Sequence, residues 1–285
     1  MVSPSSTSGA LLALLAVTLF STSALLVRLS APVPSLEVAF WRLLVAGVVV
    51  LLAARLTGQL SRRPTFDARR FGVYGLITAA HFGLYIASLG YTTVANALAI
   101  VYTAPVFVAA FSHAFLREPV TRRQLAGIAV VVLGVSILAG YDIATDARRL
   151  AGDALALGSA AAFGLYSVAG RGERARYPLL VYAGAVYLLA SLWLLPAAGF
   201  SFDVARYTPA NSAAIAALAV FPLAVGHTLY NAALRRIHAA RANVLSTLEV
   251  VGGAFLAWAV LGEPVPPEAA LGTAVTLAGV LAVIL

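Results

Sequence analysis

Runs of about 20 apolar residues recur along this chain, each closed by a short break. A helix of that length rises about 30 Å and matches the hydrocarbon core of a bilayer. Ten runs are legible, at 10–29, 35–56, 71–90, 92–116, 122–140, 151–170, 178–199, 211–234, 239–261 and 267–285. The breaks are polar or carry Pro: Ala31-Pro32-Val33-Pro34, Ser61-Arg62-Arg63-Pro64, Arg117-Glu118-Pro119, Arg171-Gly172-Glu173-Arg174 and Gly262-Glu263-Pro264. Soluble domains carry about 25% charged residues. Here 11% of 285 residues are charged and 61% are hydrophobic. The expected fold class is therefore an all-α membrane protein of ten transmembrane helices, with the lipid bilayer as its partner. The longest break, 56–70, is a connector and holds no soluble domain.

The net charge of +8 is a topology signal rather than a nucleic-acid footprint. All the basic residues are Arg, and most lie between the apolar runs. Fourteen fall after the even-numbered runs: Arg55, Arg62, Arg63, Arg69, Arg70, Arg117, Arg122, Arg123, Arg171, Arg174, Arg176, Arg235, Arg236 and Arg241. Four fall after the odd-numbered runs: Arg28, Arg148, Arg149 and Arg206. Basic loops stay in the cytoplasm, so both termini are expected there. Residues 1–10 hold no Arg or Lys. The charged flank of a signal peptide is missing, and the first run is expected to be a retained span. Cysteine is absent, which removes disulfides and thiolate metal ligands.

The chain repeats internally. Leu116-Arg117-Glu118-Pro119-Val120-Thr121 resembles Leu261-Gly262-Glu263-Pro264-Val265-Pro266, 145 positions on. The same offset carries Gly127 to Gly272 and Gly134 to Gly279. An offset of 143 carries Gly9, Phe20 and Arg28 to Gly152, Phe163 and Arg171. The expected units are 1–140 and 141–285. Five spans per unit is an odd number, so the halves must lie with opposite orientation. Inverted repeats are a transporter architecture with the substrate near the bilayer midplane.

These features resemble the EamA family of the drug/metabolite transporter superfamily. The resemblance rests on ten spans in two halves, on the Glu-Pro turn followed by two glycines at the end of each half, and on Phe40-Trp41-Arg42 in the second span. It implies a monomeric transporter of small metabolites in a bacterial-type inner membrane. Such proteins often export amino acids, and the aromatic amino-acid exporters are one branch.

Several polar side chains interrupt the apolar runs. Tyr74, Thr78, His81, Tyr85 and Ser88 follow one another at spacings of four, three, four and three, which places them on one helical stripe. Such a stripe suits a watered cavity, or hydrogen bonding between helices. The fourth span adds Asn96, Tyr102 and Thr103, with Pro105 expected to kink it as a hinge. Ser159 and Tyr166 share a face of the sixth span. His227, Tyr230 and Asn231 form a patch in the eighth, beyond a second hinge candidate, Pro222. In the ninth, Asn243 and Ser246 precede Glu249. Trp41 is a cavity wall or an interfacial anchor. Arg42 suits a substrate carboxylate, or a structural role in an internal ion pair with Glu37 or Glu249 or on helix-end carbonyls. Because the family pattern places an Arg here whatever the substrate, the structural role is the favoured reading. Glu249, Arg42 and Glu37 are the candidates for charge or proton coupling, and a buried carboxyl such as Glu249 can take up and release a proton. Glu118 and Glu263 are read as structural, and the four repeat glycines as packing surfaces.

An enzyme is the alternative from another class. The four His residues are scattered, with no His-Glu-x-x-His and no Gly-x-Ser-x-Gly, so no catalytic residue, metal site or cofactor is expected. Within the transporter class, an exporter of organic cations is the rival. It needs Glu249 and not Arg42, whereas an amino-acid exporter needs both signs of charge. The favoured reading is export of amino acids or similar metabolites by alternating access, with no nucleic-acid partner.

Overall fold

The computed structural model describes residues 4–62, 66–92, 94–138, 146–261 and 268–284, and among them there is no β-strand. Eight helical segments are long and apolar enough to cross a membrane: Thr7–Leu29, Ser35–Leu56, Ala68–Ser88, Ala97–Leu116, Ala147–Gly172, Leu179–Ser201, Pro209–Leu234 and Ala239–Val260. The first comprises α1 (Pro4–Phe20) and α2 (Ser23–Leu29). The second and third are α3 (Ser35–Leu56) and α4 (Ala68–Ser88). The fourth comprises α5 (Val94–Val101) and α6 (Ala104–Phe111), the latter extended by π-helical turns over Ser112–Leu116. After α7 (Arg122–Leu138) come α8 (Ala147–Gly172) and α9 (Leu179–Ser201). The next segment runs from α10 (Pro209–Leu218) through π-helical turns at Ala219–His227 into α11 (Thr228–Leu234). It is followed by α12 (Ala239–Ser246), α13 (Glu249–Leu261) and α14 (Glu268–Ile284).

Of the ten expected spans, α7 and α14 are the two that fall short, at 17 residues each. Residues 139–145 and 262–267, where those spans were expected to end or begin, lie outside the described residues, and the turn at Glu263 lies there too.

Three expected spans are not continuous helices. The breaks fall at Ser21–Thr22, Tyr102–Thr103 and Thr247–Leu248. At each, a hydroxyl occupies a carbonyl of the preceding turn: Thr22 bonds Leu19 O at 2.7 Å, Thr103 bonds Ile100 O at 2.7 Å, and Thr247 bonds Val244 O at 2.7 Å. Such bonds compete with the backbone ladder and loosen the helix. Pro105 reinforces the second break by removing a donor within the first turn of α6.

Contacts across the two halves are reciprocal. A Cβ on Gly9 would lie 2.7 Å from Ile237, and one on Gly152 would lie 2.7 Å from Thr92. A Cβ on Gly47 of α3 would lie 2.7 Å from Leu188 of α9, and one on Gly184 of α9 would lie 2.7 Å from Leu51 of α3.

Helices α7 and α14 pack along their whole length. The repeat glycines lie on this seam. A Cβ on Gly134 would sit 2.6 Å from Thr276 Oγ1, and one on Gly279 2.6 Å from the Val131 backbone nitrogen. Small residues let helix backbones approach in lipid. Gly134→Ala is expected to destabilise the protein by about 1–3 kcal/mol through overpacking. Gly199→Ala, with nothing within 4 Å, should not. Thermal unfolding of the two variants in detergent compares them directly.

Candidate functional site

Where the helices break, they leave a small central cavity of about 40 Å³, room for about three waters. Its walls include Phe20 and Ser23 beside the first break, Tyr102 at the second and Glu249 beside the third. Arg42 of α3, His81, Phe82 and Tyr85 of α4, Phe163 of α8, and Pro222 and His227 complete the polar and aromatic lining. Rings crowd the space: His227 lies 4.4 Å from Phe20 and 5.1 Å from Phe82, and His81 stacks on Phe163 at 4.7 Å.

Arg42 is the largest fully buried side chain. Its guanidinium lies over the Phe82 ring at 4.4 Å, and its Nε has no hydrogen-bond partner. The expected ion pair with Glu37 is absent. Glu37 instead accepts from the Tyr207 hydroxyl at 2.6 Å and lies 3.7 Å from Arg206. Glu249 is within electrostatic reach of Arg42, yet no ion pair joins them among the described residues. Glu249 faces the Tyr102 hydroxyl instead. Tyr85 Oη and His227 Nδ1 are likewise buried without partners. A buried, unpaired charge is costly. The cavity therefore holds a donor fork, a carboxyl and two idle polar groups around a space that a small polar solute would complete.

The α4 stripe divides. His81 and Tyr85 line the cavity, and the other three do not. Thr78 and Ser88 spend their hydroxyls on Tyr74 O and Tyr85 O of their own helix, at 2.8 and 2.7 Å. Tyr74 lies about two turns before His81 and donates to Glu173 at 2.6 Å. A stripe along a 21-residue helix crosses several layers of the bundle, and only one of them is the cavity.

Trp41 also stands apart. Its indole donates to Tyr207 at 2.9 Å, beside a separate pocket of about 260 Å³ at the Glu37 end. Burial and the hydrogen bond to Glu37 push the Tyr207 hydroxyl up to about 12, so it remains a donor. Thr103 borders another lateral pocket with Asp153 and Ser136. The Asn96 side chain lies outside the described residues.

Between the cavity and the Arg-rich end lie polar layers; they take in Tyr166, Tyr230, Asn231, Asn243 and Ser246, which the sequence marked as cavity candidates and which bond one another and their neighbours instead. Asn231 Nδ2 donates to the Tyr166 hydroxyl, and Tyr187 lies beside both. Tyr230 bonds Ser167 at 2.8 Å and accepts from Asn243 at 3.3 Å. Ser246 bonds Asn243 O of its own helix at 2.7 Å. Then comes an ion-pair layer. Arg171 of α8 donates to Glu118 at 2.7 Å and to Leu234 O at 2.9 Å, and His238 Nδ1 lies 3.3 Å from the other Glu118 oxygen. Arg117, in the left-handed region at φ 54°, turns the chain so that Glu118 faces α8. Arg70 meets Glu173 alongside, at 3.4 Å.

Burial alone would push the Glu118 carboxyl up. Hydrogen bonds from His238 and Arg171, with the Arg171 charge, outweigh it and hold the group at about 2. A depressed carboxyl value contributes stability above its ordinary value of about 4.3, and that stability is lost as pH falls toward 2. This closure is therefore expected to hold from mildly acidic pH upward. Glu118→Gln should loosen it at neutral pH. With no native cysteine, Ser167→Cys, buried between cavity and ion pair, reports on it. Labelling of that thiol from the Arg-rich side should rise several-fold in Glu118→Gln. Equal labelling would show that the pair does not hold this end shut.

A sequence model of the EamA-like transporter family matches twice, over residues 7–140 and 150–285. A probable terminal-alkyne amino-acid exporter of Streptantibioticus cattleyicolor is 31% identical over 250 residues, covering 84% of this chain and 80% of that protein. A pseudopaline exporter of Pseudomonas aeruginosa is 32% identical over 133 residues, 46% of each chain. A crystal structure superposes with a TM-score of 0.84 at 20% identity, covering 97% of this chain and 96% of that one, which establishes the likeness of fold.

Proposed function

We propose a function for a chain that belongs to the EamA-like transporter family and is a multi-pass membrane protein: secondary export of amino acids or related small metabolites by alternating access. In this reading α7 and α14 complete ten spans. The units 1–140 and 141–285 are inverted repeats, both termini are cytoplasmic, and the membrane is a bacterial-type inner membrane. The reciprocal glycine contacts and the Arg distribution support that arrangement.

One observation carries the substrate class. Arg42 from the first half and Glu249 from the second face one cavity without forming an ion pair. A zwitterion satisfies both, its carboxylate on the guanidinium fork and its ammonium at Glu249. The relative named for amino-acid export supports this choice. About 40 Å³ is too small for an amino acid, since small-molecule pockets enclose about 300 Å³ or more. Loading therefore requires the polar layers toward the Arg-rich end to part.

The test is uptake of labelled tryptophan, phenylalanine and threonine into proteoliposomes holding the pure protein, with and without a proton gradient. Saturable uptake of any one supports the reading, and preference for the aromatic pair assigns the ring-lined walls to the substrate side chain. No uptake of the three overturns the amino-acid assignment.

A further inference from the structure

His81 is held by Ser159 through contacts that fix where its proton sits. Ser159 Oγ lies 2.8 Å from the His81 carbonyl oxygen. A carbonyl can only accept, so the single hydroxyl proton of Ser159 is directed there. The same Oγ lies 3.0 Å from His81 Nδ1, and the Ser159 carbonyl oxygen lies 3.2 Å from that nitrogen. With its proton committed, Oγ can only accept from Nδ1, and so can the carbonyl. Both contacts require Nδ1–H. A neutral imidazole carries one N–H, so Nε2 is left as a bare lone pair. The stack on Phe163, 13° from parallel, fixes the plane of the ring. The residue lines the cavity, and among the described residues Nε2 has no hydrogen-bond partner.

We propose that Ser159 is a positioning residue that locks His81 in the Nδ1–H form, so that His81 Nε2 accepts a hydrogen bond from an N–H of the transported molecule and selects for an ammonium that carries N–H over a quaternary one. This rests on transport through the central cavity. It adds a discrimination that charge alone cannot supply. Glu249 attracts any cation, whereas a lone pair on Nε2 rewards only a cation that still carries hydrogen. A quaternary ammonium of the same charge leaves Nε2 buried and unsatisfied. The same Ser159 also joins α4 to α8, so loss of function in a Ser159 variant would not by itself separate positioning from packing.

Nitrogen NMR of the full-length protein, labelled at histidine and held in lipid nanodiscs, separates them. The His81 signal is assigned by its loss in His81→Gln. The parent is expected to show a protonated Nδ1 and a bare Nε2. Ser159→Ala should show a mixture of the two neutral forms, because only the backbone carbonyl then favours Nδ1–H. Tryptophan should move the Nε2 signal at about tenfold lower concentration than its N,N,N-trimethyl betaine, the scale of one lost hydrogen bond to a charged donor. That gap should shrink in Ser159→Ala. An Nε2–H form or a doubly protonated ring in the parent overturns the proposal, as does a tautomer unchanged in Ser159→Ala. Equal effects of the two probes, or none from either, overturn the acceptor role. Absence of uptake of tryptophan, phenylalanine and threonine in proteoliposomes overturns the amino-acid reading while leaving the tautomer result standing.

Discussion

Arg42→Gln is expected to lower the apparent affinity for any carboxylate-bearing substrate by about two orders of magnitude, the scale of about 3 kcal/mol for a bidentate charged contact. The guanidinium is buried. No carboxylate forms an ion pair with it among the described residues, and a substrate carboxylate would complete it. Arg42→Lys keeps the charge but not the planar fork, and should recover only part of the loss. Competition against labelled tryptophan in proteoliposomes measures both. An unchanged concentration dependence in Arg42→Gln, with organic cations still transported, would instead select the cation-exporter reading, in which Glu249 alone carries recognition. The stack on Phe82 is lost in Arg42→Gln, which costs about 1–2 kcal/mol of stability. A thermal midpoint for each variant separates that effect from recognition.

The membrane-spanning character was legible because it depends on composition over about 20 residues, and no tertiary contact can make such a run soluble. The close-packing faces of α7 and α14 were legible for a similar reason, though not that they pack on each other. Glycine at a seven-residue spacing leaves one smooth helix face wherever it occurs. Pro105 marked the break in the fourth span, whereas the breaks in the first and ninth were missed, although each has a local mark in a hydroxyl: Ser21-Thr22-Ser23 and Ser246-Thr247. These hydroxyls compete for backbone carbonyls, which hydrophobic periodicity does not register. The partners of polar groups were not legible at all. Glu37 turned to Tyr207, 170 positions away, and Tyr74 to Glu173, 99 positions away. Periodicity says which residues share a face of one helix. It does not say which helix faces them, and of the five members of the α4 stripe two reach the cavity.

Glu249→Gln is expected to uncouple transport from the proton gradient. The Glu249 carboxyl stands beside the third helix break, between the Tyr102 hydroxyl and the field of Arg42, in a cavity too small to hold an amino acid and bulk water together. A carboxyl so placed has two ways to be satisfied. It can hold a proton, or it can give that proton up and face the ammonium of a substrate. Alternation between the two exchanges one proton for one substrate, which is the stoichiometry that coupled export requires. Glutamine has the same shape and cannot alternate. Gradient-driven accumulation of tryptophan in proteoliposomes should therefore fall at least tenfold in Glu249→Gln, to the level reached without a gradient, and the dependence of uptake on pH should flatten. Tyr102→Phe removes a neighbour of the carboxyl but not the carboxyl itself. It should displace the pH dependence along the axis and leave accumulation in place. A pH profile in Glu249→Gln that matches the parent would remove this residue from coupling and leave it as a fixed counter-charge. The contrast between the two variants decides the matter, because a packing defect at the break would weaken both alike, whereas loss of a proton carrier weakens only the first.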